Sequence, residues 1–130
     1  MPKFLLFLVA LFWTGVVSYF CLIKSSEMPK IEISNLDKYV HVFFHFVFTF
    51  VWYLFFRKQL ITEKNVKPLL YSFLFSFTFG ITIEILQQTI TTTRNADIFD
   101  VIANSTGALL SISFIVISNK FNFLNFILKK

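Results

Sequence analysis

Four long apolar runs, separated by short polar stretches, make up almost the whole chain. At a rise of 1.5 Å per residue, a helix needs about 20 mostly apolar residues to cross a bilayer. Phe4 to Ile23 meets that length, and the pattern predicts further spans over about 38–56, 69–90 and 98–118. Pro68 is well placed to begin the third span, where a missing backbone N–H costs no intrahelical bond. After the fourth span, Phe121 to Lys130 is short and amphipathic, and is expected to lie at the membrane interface. The expected fold is all-α: a four-helix transmembrane bundle with short loops and a short C-terminal interfacial tail. Residues 1–130 form a single domain, without an internal repeat or a soluble module. Lys3 before the first run resembles the start of a signal peptide. The run is too long for a typical signal core, however, and no small-x-small cleavage site follows, so a retained helix is expected.

Composition strengthens this reading. The 130 residues are 56% hydrophobic and include 20 Phe, more than the interior of a soluble domain this small can hide. The net charge of +5 does not indicate a nucleic-acid partner. Lys and Arg flank the apolar runs instead of sharing a polar face, which fits topology and anionic headgroups. Cys21 is alone within the first run, so an intrachain disulfide is excluded, and it reads as a small apolar core residue. The chain has neither a Cys/His ligand spacing nor a cofactor motif, so no metal or cofactor is expected. Trp13, Trp52, Tyr53 and Tyr71 are candidate interfacial anchors.

Orientation follows from Lys and Arg. With four spans, one side holds Lys3, Arg57, Lys58, Lys64, Lys67, Lys120, Lys129 and Lys130. The other holds Lys24, Lys30, Lys38 and Arg94. The richer side should be cytoplasmic, and both termini lie on it. Glu27, Glu32, Asp37, Glu84, Asp97 and Asp100 fall in or toward the outer half.

Ionisable residues within spans are costly, and each is a functional candidate. Asp37 and His41 are four residues apart, on one face of the second helix, and His45 continues that face one turn deeper. A carboxylate one turn from an imidazole can fix its tautomer, although Asp37 could equally cap the helix. Glu84 stands between Ile83 and Ile85, with Gln87 and Gln88 near its face. A carboxylate there must be protonated, paired or near water, and Arg94 or His41 is the expected partner. Asp97 can cap the fourth helix, where Asp100, Asn104 and Gly107 continue one stripe. Such a stripe suits contact with another helix or a water-filled cleft. One connected cluster of His41, Glu84, Arg94, Asp97 and Asp100 is therefore expected. Interhelical hydrogen bonding that merely holds the bundle together is the competing explanation.

The run Asp37-Lys38 with His41, then Glu84-Ile85-Leu86-Gln87, Arg94, Asp97, Asp100, Asn104 and Gly107 resembles the VanZ-like family of small bacterial membrane proteins. The likeness covers roughly residues 35–111. Ser111 departs from it, since the family often has a second Gly there. The resemblance implies a multi-pass protein of the bacterial cytoplasmic membrane, related to one associated with low-level teicoplanin resistance.

Three functions fit the residues. The first is a non-catalytic envelope protein that binds a lipid, a lipid-linked wall precursor or a glycopeptide. Asp37, Lys38, Gln87, Arg94, Asp97, Asp100 and Asn104 would line its site, with Lys38 and Arg94 on a phosphate. The second is a membrane enzyme in which His41 and Glu84 exchange protons and Arg94 stabilises developing negative charge. The third is a transporter or proton relay; four short spans would need a homo-oligomer to form a pore.

Overall fold

The computed structural model describes residues 1–23, 36–60, 64–90 and 96–129. Four long helices run alternately up and down: α1 (Lys3–Leu22), α2 (Leu36–Gln59), α3 (Val66–Ile90) and α4 (Ile98–Lys120). All four are long and apolar enough to cross a membrane. Large apolar side chains, such as Phe4, Phe12, Ile98 and Phe121, cover the outside, as expected where lipid is the solvent.

The centre of the bundle is α2, which packs on α1, α3 and, most extensively, α4. Small residues allow these close approaches. On α3, Ser72, Ser76 and Gly80 repeat every four residues and are all buried. On α4, Ala103, Gly107, Ala108 and Ser111 form the matching stripe. Aromatic rings fill the other α2 interfaces. Phe48 stacks on Phe79 of α3 with centroids 4.6 Å apart, and Trp52 meets Phe7 of α1 edge-on.

Three of the four candidate anchors hold helices together instead of marking the interface. Trp52 and Tyr53 are buried. Trp52 Nε1 donates to Thr14 Oγ1 at 3.1 Å, Trp13 Nε1 donates to the Phe44 carbonyl at 3.0 Å, and Asn119 Nδ2 donates to the Tyr53 hydroxyl at 2.8 Å. An indole or phenol inside the bundle needs such a partner, and the facing helix supplies it. Only Tyr71 remains outward.

The tail is ordered by a reversal at the end of α4. Asn122 takes φ 56°, Phe123 N–H bonds to the Ser118 carbonyl at 3.0 Å, and Asn122 N–H bonds to that of Asn119 at 3.1 Å. This is the Schellman arrangement, with Asn in the left-handed position. It returns the chain beneath the bundle, where Leu124 is buried with Leu6, Tyr53, Leu54 and Ile115. A single turn, α5 (Asn125–Leu128), follows. The Met1 ammonium donates to the Ile127 carbonyl at 2.8 Å, so both termini meet at this end.

Candidate functional site

The opposite end holds the polar cluster. It is built from the first turns of α2, the last turns of α3, and the start of α4. Asp97 caps α4, its side chain accepting from Phe99 N–H at 2.9 Å. Asp100 and Asn104 then face inward and are buried. Asp37 lies within the first turn of α2, exposed, beside Lys38.

Lys38 organises the rim. Its ammonium lies 2.9 Å from Asp37 Oδ2, 2.8 Å from Asp97 Oδ2 and 2.5 Å from Asp100 Oδ1. One cation thus joins α2 to the start of α4 through Asp97 and Asp100, with Asp37 of α2 as its third carboxylate. The ammonium on Asp97, together with Phe99 N–H, holds that carboxyl below its ordinary value. The pairing also changes the electrostatic reading: Lys38 is already engaged by acids, and the described part of the cluster is net acidic.

His41 lies one turn deeper and is buried. Its Nδ1 is 2.9 Å from Asn104 Oδ1. A carbonyl oxygen only accepts, so Nδ1 carries the proton and donates. Nε2 is left facing Asp100 Oδ2 at 3.7 Å. From α3, Glu84 Oε2 accepts the backbone N–H of Asp97 at 3.1 Å. Glu84 Oε1 and Asn104 Nδ2 are buried and make no hydrogen bond among the described residues. His41, Glu84 and Asp100 each offer one ligand atom within 4.8 Å of the others, so these three could hold a metal ion.

Asp37, Lys38, His41, Glu84, Asp97, Asp100 and Asn104 therefore come together across three helices. Gln87 turns toward α1, where its Nε2 donates to the Cys21 carbonyl at 2.6 Å. Arg94 lies outside the described residues. His45 is one turn below His41, and its Nδ1 pairs with Ser76 Oγ of α3 at 2.8 Å. Ser76 carries no signal in the sequence, because a serine among Phe residues reads as a small packing residue. Proximity of the three potential ligands was equally hidden, since they lie 43 and 16 positions apart, on three helices.

Four membrane-length helices with a buried polar cluster at one end make this a small multi-pass membrane protein. It belongs to the VanZ/LLP1 family, whose profile matches residues 4–119 and so takes in the first span as well. Neither the curated proteins nor the solved structures returned a match.

Proposed function

We propose that this protein binds the polar headgroup of a lipid or lipid-linked envelope molecule at the acidic end of the bundle. The observation that carries this reading is the gradient in the cluster. Its rim, with Asp37 and Asp97 side chains 56% and 39% exposed, lies directly above the buried His41, Glu84 and Asp100. A headgroup at the interface can reach such a rim while its chains stay among the lipids. The acidic balance favours groups that donate hydrogen bonds, namely hydroxyls, amides and amines. Sugars and peptides of wall precursors carry these, as do glycopeptides. The Lys and Arg distribution supports a bacterial cytoplasmic membrane protein with this end facing outward.

Mass spectrometry of organic extracts tests the reading. A glycosylated or amine-bearing lipid should co-purify with wild type and fall at least tenfold in Lys38→Gln and Asp97→Asn. Equal recovery from all three proteins would dismiss it.

A catalytic reading is favoured by one detail. His41 is oriented by its Nδ1 contact with Asn104 Oδ1, with Nε2 turned toward Asp100, as a proton-transferring imidazole requires. Time-dependent conversion of the co-purifying molecule would separate an enzyme from a binder.

A further inference from the structure

Beneath the rim, each of three buried side chains is held at one polar atom and leaves another unheld. His41 Nδ1 is bonded to Asn104 Oδ1 at 2.9 Å, which leaves Nε2. Asp100 Oδ1 is bonded to Lys38 Nζ at 2.5 Å, which leaves Oδ2. Glu84 Oε2 is bonded to the Asp97 N–H at 3.1 Å, and Oε1 is buried with no partner among the described residues. We propose that His41, Glu84 and Asp100 hold a divalent transition-metal ion between α2, α3 and α4.

Three independent features converge on this assignment. The first is the outer shell. Metal-binding histidines donate their second nitrogen to a carbonyl or carboxylate, and ligating carboxylates are hydrogen-bonded in turn. Asn104, Lys38 and the Asp97 amide play those parts here, one for each ligand.

The second is distance. His41 Nε2 and Asp100 Oδ2 stand 3.7 Å apart, too far for a good hydrogen bond. Two ligands about 2.0–2.2 Å from one tetrahedral ion are roughly 3.3–3.5 Å apart. One ligand atom from each of the three residues lies within 4.8 Å of the others, so an ion would need only a small inward movement of side chains.

The third is charge. His41 Nε2 and Asp100 Oδ2 face one another at 3.7 Å, with Glu84 close to both, so a cation placed there would be attracted by two carboxylates. Two carboxylates and a neutral imidazole match a divalent ion in charge. One nitrogen with two oxygens suits zinc or manganese better than magnesium or calcium. Three protein ligands also leave a position for water or for an oxygen of a bound molecule. The inference does not depend on the headgroup reading, because it concerns the base of the cluster and needs no lipid.

The test uses full-length protein without a histidine tag, purified in detergent, stripped with chelator and titrated with Zn2+. Wild type should bind one ion per chain. His41→Ala, Glu84→Gln and Asp100→Asn should each weaken binding at least tenfold, and Asn104→Leu should weaken it by about 10- to 100-fold through the loss of His41's partner. His45→Asn, one turn below the site and paired with Ser76, should bind like wild type. Absence of a stoichiometric ion in wild type would overturn the proposal, as would unchanged affinity in His41→Ala or an equal loss in His45→Asn. Should ligand variants fail to accumulate, X-ray absorption of the zinc-loaded protein decides. The chain has 2 histidines, so imidazole scattering that persists in His45→Asn assigns the ligand to His41, and its absence refutes the site. Titration in lipid-free detergent separates this result from the headgroup test: an ion without a co-purifying lipid, or the reverse, would sink only one of the two.

Discussion

At the scale of single residues, the rim behaves as an electrostatic latch. Asp97 is both the cap of α4 and a partner of Lys38, so its charge serves two bonds at once. Lys38, as the bonded ammonium, holds the Asp97 carboxyl below its ordinary value of 3.8. A carboxyl depressed in the folded state contributes stability above its unfolded value, and loses that contribution as pH falls through the folded one. Thermal unfolding in detergent should therefore show wild type losing stability as pH falls below about 4. Asp97→Asn should start less stable and lose less on that acidification; parallel curves would show that the pairing contributes nothing. Glu84 is a different case. Its isolation between Ile83 and Ile85 marked it in the sequence as a carboxylate in need of a partner. Among the described residues its partner is a backbone amide, and backbone groups cannot be chosen from side-chain chemistry alone.

Between elements, the controlling contact is α2 on α4. A Cβ built on Gly107 would collide with the Val42 carbonyl oxygen and stand 2.9 Å from its carbon. These are backbone atoms and cannot rotate away. Gly107→Ala should thus force the helices apart and destabilise the bundle by about 1–3 kcal/mol, the usual cost of overpacking. Gly15 of α1 has nothing within 4 Å of its Cβ position, so Gly15→Ala should be neutral or stabilising, by up to ~1 kcal/mol. Unfolding midpoints of both variants in one detergent check the contrast; a matched loss in each would show that close approach at Gly107 is not the cause. The helices themselves were legible, because length and apolarity decide a span. The predicted third span, about 69–90, becomes Val66–Ile90, and the fourth, about 98–118, becomes Ile98–Lys120. The added residues include Lys67, Asn119 and Lys120, which hydropathy discounts but the helical backbone retains. The stripe of Asp100, Asn104 and Gly107 was equally readable, since helical period alone puts those residues on one face. Which helix that face meets was not. Nothing in the spacing of α2 identifies Val42 as the residue that lies on Gly107. Trp52 and Tyr53 were misjudged for a related reason: an aromatic residue with a polar tip suits a headgroup layer and an interhelical hydrogen bond equally well.

For the molecule as a whole, an even number of spans puts both termini at one end, and the Met1 ammonium on the Ile127 carbonyl joins them there. The acidic cluster occupies the other end. This polarity makes membrane orientation decisive for function, because the cluster can meet molecules of only one leaflet. Lys and Arg concentrate at the end with the termini, which predicts that this end is cytoplasmic. Two single-cysteine variants in a Cys21→Ser background provide the measurement. Ala96→Cys reports the cluster end, just before α4, and Asn65→Cys reports the opposite end, just before α3. Neither substitution changes the distribution of Lys and Arg on which the prediction rests. In intact cells, a membrane-impermeant maleimide should label residue 96 and leave residue 65 unmodified until the membrane is permeabilised. The reverse pattern would turn the cluster toward the cytoplasm. Wall precursors and glycopeptides on the outer face would then be out of its reach, while the bundle and its cluster would stand unchanged.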